Sequence, residues 1–195
     1  MGAIEAYVNV RARLMCRKTG PADIVLIGGS SVEYWGTSAA DLLPMKSRNF
    51  GIGGSTAAQW VRLAHDLVLP CQPKAVFIFA GSNDLHMKKE PPEVAFDHLR
   101  RLFEQLSDMQ IYYAGVYLTN LYRDFWEADR AYNQLVREYK QCCTNLEYID
   151  IPSALTDESG KPLEGIFRKD GEHLNAHGYS IWREIIVNAI MTERD

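Results

Sequence analysis

Asp23-Ile24-Val25-Leu26-Ile27-Gly28-Gly29-Ser30-Ser31-Val32-Glu33-Tyr34-Trp35 passes from a strand through a glycine break into a helix. Ile24 to Ile27 is an apolar, largely β-branched run, the composition of a buried strand. Gly28-Gly29 stops it, and Ser31 to Trp35 reads as the start of a helix. Ser30 therefore stands at a strand–glycine–helix junction. Its hydroxyl is exposed at the carboxyl edge of a sheet, close to helix N-terminal N–H groups. That position suits a nucleophile whose reaction passes through an oxyanion. It also suits an ordinary helix N-cap.

The rest of the chain repeats the alternation. Strands are expected at 23–28, 47–50, 74–80, 111–117 and 146–151. Helices are expected at 3–17, 31–43, 56–69, 94–106, 125–139 and 177–191. The first carries Tyr7, Val8, Leu14 and Met15 at helical spacing; the fifth turns Leu135, Val136 and Tyr139 inward. Strands alternating with helices predict an α/β fold with a parallel sheet covered on both faces. No linker, repeat or low-complexity segment divides residues 1–195, so one domain is expected. In such sheets ligands bind beyond the carboxyl ends of the strands.

Composition narrows the function. The 195 residues carry a formal net charge of -4, and no Lys/Arg cluster forms a nucleic-acid face. The longest apolar runs are strand-sized, far short of the roughly 20 residues of a membrane span. Glu5, Arg11, Arg13 and Arg17 interrupt any N-terminal signal pattern. Cys16, Cys71, Cys142 and Cys143 show no CxxC spacing and read as reduced thiols. A cytoplasmic location is expected.

Three further segments supply what acyl transfer needs: Gly51-Ile52-Gly53-Gly54, Gly81-Ser82-Asn83-Asp84 and Asp170-Gly171-Glu172-His173. A serine hydroxyl needs an adjacent base, and histidine is the usual one. A carboxylate three residues away on one turn can fix the histidine tautomer. Donors aimed at the developing oxyanion are available from the Ser30 and Gly54 N–H groups and the Asn83 amide.

These segments carry a resemblance. Ile24 to Trp35, Asn49-Phe50-Gly51-Ile52-Gly53-Gly54-Ser55-Thr56, Ala80-Gly81-Ser82-Asn83-Asp84-Leu85 and Asp170 to Tyr179 resemble, in order, the four sequence blocks of the SGNH (GDSL-like) hydrolases. The resemblance spans residues 24 to 179. It implies a flavodoxin-like, three-layer α/β/α sandwich with a roughly five-stranded parallel sheet, and hydrolysis of esters or thioesters through an acyl-enzyme. It implies Ser30 as nucleophile, His173 as base, Asp170 as its orienter, and Ser30, Gly54 and Asn83 as the oxyanion hole, with no cofactor. One position departs: Gly29 stands where the family commonly has Asp, or Ser in some branches. It removes a bracing side chain and adds backbone freedom.

Other readings stand beside these. The glycines could cradle a phosphate, but no GxGxxG or Lys-Ser/Thr pair accompanies them. His173 and His177, four apart, could form a metal pair, but no third ligand has matching spacing; no metal is expected, and His177 is expected to cap or cover the last helix. His65, His86 and His98 read as surface residues. Asp84 reads as structural, behind the Asn83 loop. Tyr117, Tyr122, Phe125 and Trp126 cluster near a strand end. Tyr122, Phe125 and Trp126 are the candidates for lining a substrate pocket, and Arg123 reads as surface. The substrate expected is an ester of small or medium acyl size. A carbohydrate O-acetyl ester, a lysophospholipid and a thioester are the alternatives within the class. A catalytically silent α/β binding protein is the alternative outside it.

Overall fold

The structure, a computed structural model, describes residues 2–192. Its elements run α1 (Ala3–Met15), β1 (Ile24–Gly28), α2 (Ser30–Glu33), α3 (Ser38–Asp41), β2 (Ser47–Asn49), α4 (Ala57–Leu67), β3 (Ala75–Phe79) and α5 (Ser82–His86). They continue with α6 (Pro92–Gln105), β4 (Gln110–Ala114), α7 (Trp126–Lys140), β5 (Leu146–Ile149), α8 (Ile151–Ala154) and α9 (Ala176–Thr192). The five strands form one sheet of order β2-β1-β3-β4-β5, each neighbouring pair parallel. Among the described residues, no helix is long and apolar enough to cross a membrane.

Every residue of β1 and β3 is buried because both faces of the sheet are covered. Strand side chains alternate between faces. Val25, Ile27, Val76, Ile78 and Tyr113 pack with Val8, Trp60, Leu99 and Val136 from α1, α4, α6 and α7. Ile24, Leu26, Phe77 and Phe79 pack on the other side with Trp35 and with Trp182 and Ile186 of α9. The result is the three-layer arrangement expected from the alternation.

Several boundaries differ from the sequence reading, each for a local reason. Residues 31–43 are not one helix. The Asn49 side chain donates to the carbonyls of Val32 (2.8 Å) and Trp35 (3.3 Å), taking acceptors that a continuous helix would use. The strand expected to reach residue 117 ends at Ala114. Asn133 takes over from the ladder there, accepting from Val116 N–H (2.9 Å) and donating to its carbonyl (2.7 Å). In α1 the buried positions are Val8, Ala12 and Met15, while Tyr7 and Leu14 are exposed. In α7 only Val136 of the three expected residues is fully buried; Tyr132, Asp129 and Asn133 share its face. His177 is exposed and does not cap α9. Asn175 does so, its Oδ1 accepting from the N–H groups of His177 (2.9 Å) and Gly178 (3.1 Å).

The strand order positions the site. After β1 the chain moves to β2 on one side; from β3 onward it builds on the other. The carboxyl ends of β1 and β3 therefore flank a topological switch point, where an open α/β sheet leaves a crevice. Ser30 follows β1 and Asn83 follows β3.

Candidate active site

Ser30 is the first residue of α2. The tight exit from β1 depends on Gly28, whose φ is +146° and where a Cβ would lie 2.0 Å from the Phe79 carbonyl oxygen. Ser30 Oγ lies 2.9 Å from His173 Nε2, across 143 residues of chain. His173 Nδ1 lies 3.0 Å from Asp170 Oδ2. The other Asp170 oxygen accepts from the N–H groups of Glu172 and His173, both at 2.9 Å. Desolvation pulls the Asp170 carboxyl upward, but these two N–H groups and the imidazole outweigh it and hold it down at about 2. Asp170 therefore stays ionised and fixes both the loop and the ring. Tyr34 packs edge-on to the imidazole at 5.2 Å, and the Arg168 guanidinium lies over the Tyr34 ring at 4.7 Å.

The residues expected to supply oxyanion donors line the same cleft as Ser30. Ser30, Gly54, Asn83 and His173 all line one cleft of about 500 Å³. Asn83 Nδ2 donates one hydrogen to the Ser55 carbonyl (2.8 Å), which aims the amide; an amide NH₂ carries a second donor. Ser55 is a hub that the sequence reading missed. Its Oγ donates to the Gly28 carbonyl (3.0 Å) and accepts from Trp60 Nε1 (2.8 Å), tying the β1 exit to α4. Gly54 has φ +74°, a left-handed conformation that favours glycine. The Gly29 departure has a steric reading here. A Cβ at Gly29 would lie 3.0 Å from Asn83 Nδ2, so its absence lets the amide approach the nucleophile turn closely.

Ser31 is removed from competition. It is buried, and its hydroxyl is 2.9 Å from that of Tyr117. Of the three aromatic candidates, Tyr122 lines the cleft, with Ala3, Ile4, Tyr7, Tyr34 and Met87. Phe125 and Trp126 do not. Phe125 packs edge-on to His86 and Tyr122, and the Trp126 indole donates to the Thr119 carbonyl (2.8 Å). Arg123 is exposed and reaches Asn120.

His86 corrects the sequence reading most. It is buried, not on the surface, and its Nε2 lies 2.8 Å from Asp129 Oδ1. Tyr122 stacks on its ring at 4.3 Å. His65 is exposed as expected, and His98 is half-buried. Asp84 is fully buried and accepts from the N–H groups of Ala57 (2.8 Å) and Ala58 (3.4 Å) at the start of α4. It is structural, as its position behind Asn83 implied. Burial raises its carboxyl to about 6, against the pull of those N–H groups.

Chemically, this geometry pairs a hydroxyl with a base and the base with an ionised carboxylate, with Gly54 and Asn83 lining the same cleft. Both ring nitrogens of His173 are engaged within it, leaving none for a metal shared with His177. Among the described residues, no group of three or more His, Cys, Asp or Glu side chains could hold a metal ion.

No curated protein matches the chain. Solved structures do. A candidate acylhydrolase from Bacteroides fragilis superposes with a TM-score of 0.79 at 21% identity, covering 96% of this chain and 98% of that one. A GDSL-like lipase from Bacteroides thetaiotaomicron gives 0.71 at 21% identity, with 98% of each chain covered. An acetylxylan esterase from Geobacillus stearothermophilus, solved as a catalytic mutant, gives 0.74 at 16% identity, covering 89% and 95%. At these identities the likeness is one of fold. The sequence itself matches the model of the GDSL-like lipase/acylhydrolase family over residues 22–181. The chain therefore belongs to the GDSL-like lipase/acylhydrolase, or SGNH hydrolase, family, whose members are hydrolases acting on esters.

Proposed function

We propose that the protein hydrolyses a carboxylic ester of small or medium acyl size through an acyl-enzyme on Ser30. The observation that carries this is the unbroken hydrogen-bonded chain Asp170–His173–Ser30 opening into the cleft. Ser30 Oγ attacks the ester carbonyl while His173 Nε2 takes its proton. The carbonyl oxygen becomes an oxyanion held by the Ser30 and Gly54 N–H groups and the Asn83 amide. Collapse breaks the bond to the alcohol, which leaves with the proton from His173. Water then attacks the acyl-enzyme by the same route, releasing the acid and restoring the serine.

The cleft supports the substrate class. Its size suits a small-molecule ester. Among the described residues, the side chains lining it around Ser30 include Glu33 and Glu172 but no lysine or arginine. That acidic lining favours a neutral ester over a phosphate-bearing lysophospholipid. A second reading, removal of acetyl groups from carbohydrate, is favoured by Tyr7, Tyr34 and Tyr122, three hydroxyl-bearing residues that line the cleft.

A panel of p-nitrophenyl esters of rising acyl length, followed by acetylated sugars, tests the proposal. Activity should peak at short to medium acyl length, vanish in Ser30→Ala and survive chelators. A fluorophosphonate probe should label Ser30. An unlabelled protein inert across the panel would favour a silent binding protein; chelator-sensitive activity would point to a metal site.

A further inference from the structure

The nucleophile helix and the oxyanion loop are joined by one carboxylate. Glu33 lies one turn after Ser30 on α2. Its Oε2 accepts from the Gly53 N–H at 2.7 Å, one residue before Gly54. Its Oε1 accepts from the Tyr7 hydroxyl at 3.0 Å and from Arg11 Nη2 at 2.9 Å. Both of the latter lie on α1, one turn apart. The loop is pressed against α2 elsewhere as well. A Cβ at Gly51 would meet the Glu33 backbone nitrogen at 2.2 Å, and one at Gly53 would meet Glu33 Oε2 at 2.9 Å. The family match begins at residue 22, so α1 lies outside it. Yet α1 supplies Ala3, Ile4 and Tyr7 to the cleft wall, and both partners of Glu33.

We propose that Glu33 is a positioning residue that sets the Gly54 oxyanion donor relative to Ser30, and that α1 tunes it through Tyr7 and Arg11. The proposal rests on the ester-hydrolase reading above. A donor in an oxyanion hole works because it is already aimed when charge develops. Fixing Gly53 N–H to the helix that carries Ser30 places donor and nucleophile on one rigid unit. A bare carboxylate beside the hole would repel the oxyanion. Arg11 supplies the opposing charge, so the clamp costs little electrostatically. Glu33 is mostly buried and Arg11 about one-third exposed, so the pair is only partly screened.

The test combines steady-state kinetics on a p-nitrophenyl ester with inhibition by an aryl boronic acid, whose tetrahedral serine adduct occupies the hole. Glu33→Ala should lower kcat by about 10–10², no more than the loss of one full donor. KM should hold, and the boronate Ki should rise in proportion to the loss in kcat/KM. Glu33→Gln keeps an acceptor for Gly53 and should retain most activity. Arg11→Gln should cost kcat several-fold in the native background and nothing in the Glu33→Gln background, because the charge it balances is gone. Thermal melts establish that each variant is folded; if Glu33→Ala is not, the Arg11→Gln and Glu33→Gln cycle decides alone. A loss confined to KM, an unchanged boronate Ki, or additive effects in the cycle would overturn the proposal. Ser30→Ala is the separate control: if it still hydrolyses the ester, the underlying reading fails and this one with it.

Discussion

The molecule holds two histidine–aspartate pairs near one cleft, and their surroundings separate them. His173–Asp170 sits on a loop at the mouth, closed to 3.0 Å, with the free ring nitrogen 2.9 Å from Ser30. His86–Asp129 is closed to 2.8 Å but buried, with Tyr122 and Phe125 against its ring. Asp170 is half-exposed and braced by two backbone N–H groups, which keep it ionised. Asp129 is fully buried, and its Oδ2 has no hydrogen-bond partner. Burial raises its carboxyl, against the pull of His86. A histidine–carboxylate contact alone therefore specifies no chemistry. Under the proposed mechanism, reach to Ser30 gives one pair proton transfer, while burial leaves the other to packing.

The largest contrast is expected from removing the imidazoles. His173→Ala should lower kcat/KM by roughly 10⁴–10⁶, the loss seen when a member of such a unit is deleted. His86→Ala should leave Ser30 labelled by a fluorophosphonate but destabilise the fold by about 3–5 kcal/mol, because Asp129 is left as an unpaired buried charge. Urea unfolding and the same ester assay read both. Next in size is the pair of carboxylates. Asp170→Asn should cost up to roughly 10⁴ in kcat, since an amide cannot hold the imidazolium or its tautomer as a carboxylate does. Asp129→Asn should change kcat by less than about tenfold, because Asn can still bond His86. A dead Asp129→Asn beside an active Asp170→Asn would reverse the assignment of the two pairs.

The difference between the pairs also marks how far the sequence could be read. Asp170 and His173 are three residues apart on one loop, so their pairing is local and shows in the primary structure. Ser30, Gly54 and Asn83 each follow a strand, and parallel-sheet topology brings strand ends together. His86 and Asp129 are 43 residues apart on α5 and α7. Their contact depends on how those helices pack, which no local pattern encodes, and a lone histidine near a loop then reads as surface. Phe125 and Trp126 read as pocket candidates beside Tyr122 for a similar reason. Their distance from a strand end is visible in sequence, but the Thr119 carbonyl that captures the indole is not. The strand core was legible because burial on both faces forces continuous apolar runs at β1 and β3. The break after Glu33 was not, because it depends on Asn49 reaching across from β2.

A smaller effect joins the two regions. α5 begins next to Gly81, carries Asn83 into the cleft and ends at His86. Asn83→Ala should lower kcat by about 10²–10³ with little change in KM, the usual result of losing one oxyanion donor. His86→Gln, which anchors the same short helix less firmly, should lower kcat by a few-fold through displacement of Asn83. If His86→Gln matched Asn83→Ala, the buried pair would be part of the oxyanion machinery and the separation drawn above would fail.

The smallest effect is on stability against pH, where the two aspartates should differ in sign. Asp170 titrates at about 2 in the fold against an ordinary 3.8. Its stabilising contribution is therefore fully present above about pH 4 and is lost as pH falls from there to 2. With Asp170 nearly half exposed, solvent screening limits this to roughly a few tenths of a kcal/mol. Asp129 is shifted the other way from 3.8. The fold holds its proton more tightly than the unfolded chain does, so its ionisation is a cost at neutral pH. That cost is relieved as pH falls through the raised folded value towards the unfolded one. Urea unfolding at pH 7 and 4, repeated for Asp170→Asn and Asp129→Asn, separates the two. Asp129→Asn should gain stability relative to the parent at pH 7 and lose that advantage by pH 4. Asp170→Asn should show a small deficit at both. An Asp129→Asn deficit that is largest at pH 7 would mean that the contact with His86 favours the buried carboxylate by more than burial disfavours it.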